Sequence, residues 1–153
     1  ACSMVDLVQT IAELGGSSAP GDWNGTSMRQ WMDDPAKPWK DMAVSEYYAH
    51  NIASGFAMLR TGRYKYVYHT AADETHTAQR ELYDLEADPG EFTNLASQAK
   101  HAETIRRLHS TLVKELGEDP EQTERRCRAD LAKGYDLGVT EKKQKGKKGE
   151  RQR

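Results

Sequence analysis

Cysteine is scarce in this chain of 153 residues, and its placement argues against a structural metal site. The two cysteines, Cys2 and Cys127, lie near opposite ends of the chain, with no Cys-x-x-Cys pair and no histidine at zinc-finger spacing. They are either two free thiols or the partners of one disulfide that joins the ends. The sequence therefore leaves the redox compartment open.

Long apolar runs are also missing. No run approaches the roughly 18 residues that a transmembrane helix needs, the mean hydropathy is -0.88, and 30% of the residues are charged. Residues 1–15 carry no basic start of the kind that opens a signal peptide. We therefore expect no membrane span and no membrane partner, and the length corresponds to one domain of ordinary globular composition.

The charge is nearly balanced overall but unevenly distributed. The net charge is -2, with 22 basic and 24 acidic residues, while residues 141–153 alone hold seven basic and two acidic residues. That tail has the charge to bind a polyanion, but it lacks the interleaved aromatic residues that stack on bases. A solvated, disordered basic tail is therefore favoured over a nucleic-acid partner.

An amphipathic helix is predicted over 4–14. Ser3 followed by Asp6 has the form of an N-terminal capping box, and a stripe of apolar residues at helical spacing follows up to Gly15: Met4, Leu7, Val8, Ile11 and Leu14. Because Val5 also lies off that stripe, the helix is apolar over much of its circumference and needs a covering partner. The loop 15–41 carries Trp23, Trp31 and Trp39, which we expect to pin it onto a core.

Alternating patterns begin at Met42 and predict four short strands, at 42–48, 56–60, 63–69 and 81–85. Thr61-Gly62 favours a tight hairpin between the second and third strands, and Tyr66 is expected to pack in the core with its neighbours Tyr64 and Tyr68. A helix over 97–116 is predicted to end at Gly117. The fold class is therefore α+β, a small four-stranded antiparallel sheet with a helix packed on one face.

Motifs for nucleophilic or phosphate chemistry are missing, so no catalytic residue is assigned. The candidate ligand contacts are His50 and Asn51, because the end of the first strand can present an imidazole and an amide to a ligand. His69 and His76 flank Asp73-Glu74 in a polar loop, but a loop seldom supplies the convergent, rigid ligands of a metal site. We therefore predict no metal site, and we expect His101 and His109 to be solvated on the last helix.

The order of several segments resembles the C-terminal part of type I sulfatases, of the alkaline-phosphatase-like superfamily. The segments are VDLVQTIAELGG (5–16), WNGTSM (23–28), SEYYAHN (45–51), MLRTGRYKYVYH (58–69) and ELYDLEADPGEFTNLA (81–96). The resemblance covers residues 3 to about 117. It implies a four-stranded sheet with a helix packed on it, preceded by a helix that belongs to a large α/β domain absent from this chain.

The resemblance also implies a hydrolase of sulfate esters or sulfamates, whose catalytic centre uses calcium and a formylglycine made within a Cys/Ser-x-Pro-x-Arg motif. Cys2 and Cys127 are followed by Ser-Met-Val and Arg-Ala-Asp, so neither fits that motif. We therefore expect this chain to hold neither cofactor and to lack the catalytic centre. Members of the family are often periplasmic, secreted or lysosomal.

These observations divide the chain into four predicted segments: 1–41 as the boundary with the large domain, 42–117 as the sulfatase-like subdomain, 118–140 as a charged, weakly helical extension, and 141–153 as the tail. The leading hypothesis is a C-terminal portion of a sulfatase that completes the fold beside an N-terminal catalytic domain. In that hypothesis His50 and Asn51 contact the leaving group of a sulfated carbohydrate. The alternative is a stand-alone binding module for sulfated glycans or a protein partner.

Overall fold

The structure is a computed structural model that describes residues 1–48 and 54–133. Its helices are α1 (Met4–Leu14), α2 (Arg29–Asp33), α3 (Ala102–Leu116) and α4 (Pro120–Lys133), with a 3-10 turn at Ala99–His101. The strands are β1 (Met42–Tyr47), β2 (Phe56–Thr61), β3 (Tyr64–His69) and β4 (Gln79–Asp84). The predicted α+β class is confirmed. The predicted tail 141–153, His50 and Asn51 lie outside the described residues.

The four strands form one antiparallel sheet in sequence order, β1-β2-β3-β4. Leu59 of β2 lies opposite Tyr66 of β3, which lies opposite Leu82 of β4, so these three side chains share one face. The β2–β3 turn is Gly62–Arg63 rather than the predicted Thr61-Gly62. Thr61 extends β2 because its hydroxyl accepts a hydrogen bond from Tyr64 N–H at 3.0 Å.

Helix α3 covers that face of the sheet and completes the core. Leu108 and Leu112 of α3 pack against Leu59, Tyr66 and Leu82, all at most 2% exposed. The helix starts at Ala102, after the 3-10 turn, and ends at Gly117, whose φ of 81° is left-handed. Such a backbone is favourable for glycine, because it carries no Cβ to clash. The burial of Tyr66 confirms the predicted assignment of the strand faces.

A buried carboxylate joins α1 to the loop that follows it. Asp6 is fully buried and accepts hydrogen bonds from Ser3 N–H at 2.7 Å, Thr26 N–H at 2.8 Å and Lys40 Nζ at 2.7 Å. Burial by itself raises the pKa of Asp6, but these donors outweigh it and lower that pKa to about 2. Asp6 therefore fixes α1 against the chain just before β1.

The apolar face of α1 remains uncovered within the described part of the chain. Its exposed side chains are Met4, Val5, Leu7, Val8, Ile11 and Leu14, which are between 39% and 72% exposed. The expectation that the tryptophans pin the loop to a core is wrong for Trp23 and Trp31, which are 43% and 45% exposed. The Trp31 indole instead donates to the Pro35 carbonyl at 3.0 Å, which satisfies its N–H within the loop. Helix α1 and the loop that follows it therefore both expose large apolar side chains.

A further helix, α4, follows α3 after a short connection at Gly117. Helix α4 is highly charged, yet its Glu124 is only 7% exposed. No helix among the described residues is long and apolar enough to cross a bilayer. The charged segment predicted as weakly helical thus contains a regular helix over Pro120–Lys133.

Candidate functional site

One end of the sheet gathers the two long connections between strands, and we call it the loop end. It is marked by a row of paired residues, Tyr47, Phe56, His69 and Gln79, where β1 and β3 finish and β2 and β4 begin. The segment 48–55 joins the first two strands there, and 70–78 joins the last two. His50 and Asn51 belong to the first of these connections in sequence and lie outside the described residues.

Helix α4 fixes the returning end of the first connection. The Glu124 carboxylate accepts hydrogen bonds from Gly55 N–H at 2.9 Å and from the Thr70 hydroxyl at 3.2 Å. Gly55 O in turn accepts from Thr70 N–H at 3.0 Å. A Cβ built on Gly55 would lie 2.5 Å from Glu124 Oε2 and 2.2 Å from the Tyr48 ring, so only glycine permits this close approach.

The same helix holds the start of the second connection. Glu121 accepts hydrogen bonds from the Tyr68 hydroxyl at 3.0 Å and from Ala71 N–H at 2.9 Å. Burial raises the pKa of Tyr68 to about 12, and the adjacent Glu121 carboxylate raises it as well. Burial also raises the pKa of Tyr48, with the charges of Glu46 and Glu124 acting in the same direction. Both tyrosines are therefore neutral hydroxyls at pH 7.

A strip of rings crosses the loop end on the face opposite α3. Tyr47 and Phe56 stack with centroids 6.2 Å apart, and Phe56 lies 6.3 Å from His69. His69 Nε2 is 2.9 Å from Glu81 Oε1, while the Tyr83 hydroxyl donates to Glu81 Oε2 at 3.0 Å. The carboxylate thus orients the imidazole, and the strip combines apolar ring faces with a half-exposed polar group.

A cleft of 440 Å³ lies beside this strip and is lined by both connections. Its polar side chains include Ser54, His69, Thr70, Asp73 and His76. Hydrogen bonds from Thr75 and then His76 lower the pKa of Asp73 far below its usual range. The cleft therefore offers an ionised carboxylate, two imidazoles and hydroxyls, a set that can hydrogen-bond the hydroxyls of a sugar.

The described residues do not fit the calcium and formylglycine of the sulfatase resemblance. Among residues 1–48 and 54–133, no three His, Cys, Asp or Glu side chains are grouped so that they could hold a metal ion. Both cysteines are free, Cys2 exposed and Cys127 half-buried, so the alternative of a disulfide between the ends is not realised.

Sequence reasoning missed three contributors to this end of the molecule. Glu121 and Glu124 were not singled out, since nothing in a charged helix marks which carboxylates meet backbone N–H groups far away in sequence. His109 was predicted to be solvated, and this is wrong. Its Nδ1 lies 3.1 Å from the Tyr66 hydroxyl and its ring centroid lies 4.9 Å from that of Tyr68, so it is part of the α3–sheet interface.

Comparison with protein families gives one match that covers most of the chain. Residues 2–118 match the family described as N-sulphoglucosamine sulphohydrolase, C-terminal. The match includes the sheet, α1 and α3, whereas α4 begins just after it.

Individual relatives are sulfatases much longer than this chain. Arylsulfatase K of Mus musculus is 29% identical over 106 residues, which are 63% of this chain and 18% of the relative. A delta 4,5-hexuronate-2-O-sulfatase of Bacteroides thetaiotaomicron is 29% identical over 104 residues, 66% of this chain and 21% of the relative. The chain thus spans about a fifth of the length of these relatives.

A solved structure shares the fold. It is a protein in complex with its substrate D-glucosamine-2-N,6-O-disulfate, with a TM-score of 0.62 and 24% identity. The likeness covers 76% of this chain and 25% of the other. The arrangement of sheet and helices seen here is therefore a recurring one.

Proposed function

The chain belongs to the N-sulphoglucosamine sulphohydrolase C-terminal family, and from that premise we propose that it is the C-terminal portion of a sulfatase, a hydrolase of sulfuric esters or sulfamates. Its role is to complete the fold and to wall one side of the substrate pocket. The catalytic centre, with its calcium and formylglycine, belongs to an N-terminal catalytic domain of the same protein. The relatives support this division, because about four fifths of their length has no counterpart here.

The apolar face of α1 is the proposed contact with that catalytic domain. Six large apolar side chains on one short helix form an exposed patch of the kind that marks an interface rather than a solvated surface. Asp6 holds the helix rigidly against the rest of the chain, so the patch is presented in a fixed orientation. In this proposal segment 1–41 is the boundary between the two domains, and 42–117 is the subdomain proper.

The proposed substrate is a sulfated carbohydrate, and the loop end faces its leaving group. The relative from Bacteroides thetaiotaomicron is named for a sulfated hexuronate, a member of that class. A sugar offers both hydroxyls and an apolar ring face. The cleft supplies polar groups for the hydroxyls, and the stacked rings of Tyr47 and Phe56 in the neighbouring strip supply an apolar surface for the ring face. We propose that His50 and Asn51 donate and accept hydrogen bonds with the leaving-group sugar.

The observation that carries this proposal is the hydrogen bond between Gly55 N–H and Glu124. A short connection that must position a substrate contact needs fixed ends, because a misplacement of about 1 Å is costly in catalysis. Tyr48 precedes segment 49–53, and Ser54 and Gly55 follow it. Gly55 N–H donates to Glu124, and the Tyr48 ring lies beside the Gly55 Cα. The connection that contains His50 is therefore anchored at both borders by buried contacts.

Kinetics of the complete enzyme test the roles of His50 and Asn51. His50→Ala should lower kcat/KM for a sulfated disaccharide by about 10- to 1,000-fold, the scale of a lost positioning or acid contact. Asn51→Ala should act in the same direction. A small aryl sulfate has few leaving-group contacts, so its kcat/KM should fall much less. His101→Ala is the matched control, since His101 does not line the cleft.

Two results would overturn the proposal. Equal losses on both substrates together with a lower Tm would make His50 a structural residue. Turnover of a chromogenic sulfate ester by the 153-residue chain alone would place a catalytic centre within it. Binding of a sulfated glycan by a natural protein that has no catalytic domain would instead establish the alternative of a stand-alone binding module.

A further inference from the structure

A second cavity lies on the opposite side of the loop end, between the start of β4 and α3. It has a volume of 350 Å³, at the small end of ordinary ligand pockets. Two arginines and a histidine line it, namely Arg80, Arg106 and His109, together with the polar residues Ser97 and Gln98. We call it the arginine pocket. No carboxylate belongs to its lining, so its local charge is positive.

Arg80 is held in place without an acidic partner. Its guanidinium lies over the Tyr68 ring, 5.2 Å from the centroid. Within residues 1–48 and 54–133 no carboxylate forms an ion pair with it, whereas Arg63 forms one with Asp84. Arg80 also interacts with the Tyr66 hydroxyl. A guanidinium has five N–H donors and, when stacked on an aromatic face, holds them in a fixed plane, so it can serve an oxyanion as well.

Arg106 supplies a second guanidinium, and its ion pair with Glu103 is exposed and weak. It is paired with Glu103 one turn earlier on α3, and both side chains are more than 70% exposed. Exposed pairs of this kind contribute little free energy. An incoming anion can therefore compete with Glu103 for the guanidinium.

The pKa of His109 depends on the charges in and around the pocket. Its ring lies against Tyr66 and Tyr68 of β3, and the charges of Arg80 on β4 and of Asp119 before α4 act on it. Burial lowers the pKa of His109, Arg80 lowers it further, and Asp119 opposes the change. An anion that neutralises the field of Arg80 must raise that pKa.

We propose that the arginine pocket binds an anionic group, a sulfate or a carboxylate, on a sugar unit of the carbohydrate ligand. Arg80 and Arg106 provide paired N–H donors, and planar guanidinium groups are well suited to both oxyanions. The pocket opens on the α3 face, while the cleft at His69 opens on the other face. A sulfated or uronate-containing chain that crosses the loop end thus meets both sites. The choice of a sugar as carrier rests on the proposed function, whereas the anion site itself rests on the pocket.

Calorimetric titration of the 153-residue chain with glucosamine-2-N,6-O-disulfate, glucuronate, inorganic sulfate and N-acetylglucosamine tests this inference. The sulfated sugar or the uronate should bind, the neutral sugar should not, and the comparison of the two anionic sugars identifies the preferred group. Arg106→Gln should weaken binding about tenfold, as expected for a lost charge-assisted hydrogen bond. Glu103→Gln should tighten it about twofold to fivefold, because it frees Arg106.

Arg107→Gln is the matched control, since Arg107 neighbours Arg106 on α3 but does not line the pocket. Binding should also raise the pKa of His109, followed in the imidazole resonances by NMR. Equal weakening in the Arg106 and Arg107 variants, or no binding by any anionic probe, would overturn the inference. If the arginine pocket binds no anion, the predicted effect of His50→Ala on kcat/KM is unchanged. The two proposals can therefore be refuted independently.

Discussion

The carboxylate of Glu124 accepts a hydrogen bond from the backbone N–H of Gly55 across 69 residues of sequence. The contact leaves no space beside the Gly55 Cα, where a methyl group would meet both Glu124 and the ring of Tyr48. It joins the last described helix to the connection that carries His50, so α4 has a structural role in the candidate site.

Replacing Gly55 with alanine should therefore disturb the loop end. We expect Gly55→Ala to lower the free energy of unfolding by about 1–3 kcal/mol, the usual cost of overpacking a filled site. In the complete enzyme it should also lower kcat/KM for a sulfated sugar. Urea denaturation measures the first effect. Gly21→Ala is the control, because nothing lies within 4 Å of its Cβ position, and equal effects of the two substitutions would contradict the close contact.

Asp6 should give the chain an acid-sensitive stability. Its pKa is lowered to about 2 in the folded state, so the folded chain holds fewer protons on this group than the unfolded chain between that value and the unfolded pKa near 3.8. The stabilisation is complete above the unfolded pKa and is lost as the pH falls through this range. Denaturation curves at several pH values should show a smaller loss in Asp6→Asn than in the original chain.

The Asp6→Asn substitution should also be costly at pH 7. It removes the charge that pairs with Lys40 and leaves a buried amide among donors, which should lower the free energy of unfolding by about 3 kcal/mol. Asp22→Asn, in the exposed loop, is a suitable comparison. A cost below 1 kcal/mol would show that Asp6 does not hold α1 in place.

Tyr66 tests the core between the sheet and α3. Truncation to alanine should cost about 3–5 kcal/mol, since the side chain is fully buried. Tyr66→Phe should cost only about 1 kcal/mol, because it keeps the buried ring and removes the hydroxyl that interacts with His109 and Arg80. The two values come from chemical denaturation. A loss below about 0.5 kcal/mol for Tyr66→Ala would place the ring in solvent.

The apolar face of α1 should make the isolated chain self-associate. Ile11→Glu places a charge in the middle of the exposed patch, where Ile11 is 59% exposed. We expect it to reduce association in sedimentation experiments with little change in the stability of the isolated chain. In the complete enzyme the same substitution should lower the Tm. An unchanged Tm there would mean that the catalytic domain does not cover this face.

The sheet and its helix were predictable because their signals are local. Alternating apolar residues around Tyr66 mark a half-buried strand, and the capping residues Ser3 and Asp6 mark the start of α1 at its observed position. Boundaries were less accurate where a local bond decides them, as at Thr61. The prediction for His50 and Asn51 stays a prediction, because both lie outside the described residues.

The contacts that shape the loop end were not predictable for the opposite reason. Glu121 and Glu124 meet partners more than 45 residues away, and a glutamate on a charged helix carries no pattern that reveals such a partner. The same holds for His109, which meets Tyr66 through the packing of α3 and not through any spacing in the sequence. Trp23 and Trp31 show the opposite kind of error. Their large apolar rings predicted burial in a core, but both are exposed in the described part of the chain.

The sequence order of the strands has a consequence for how the molecule folds. The two-residue turn at Gly62 closes the β2–β3 hairpin at small entropic cost, and the longer connections 48–55 and 70–78 then add β1 and β4 to its two edges. Low contact order of this kind favours rapid folding. The bond from Gly55 to Glu124 spans 69 residues, so in a nascent chain it can form only after α4 has been synthesised. Because α3 covers Tyr66 and Leu82, these side chains lack that cover during translation until α3 has left the ribosome. Transiently exposed apolar surface of this kind makes a nascent chain prone to aggregate.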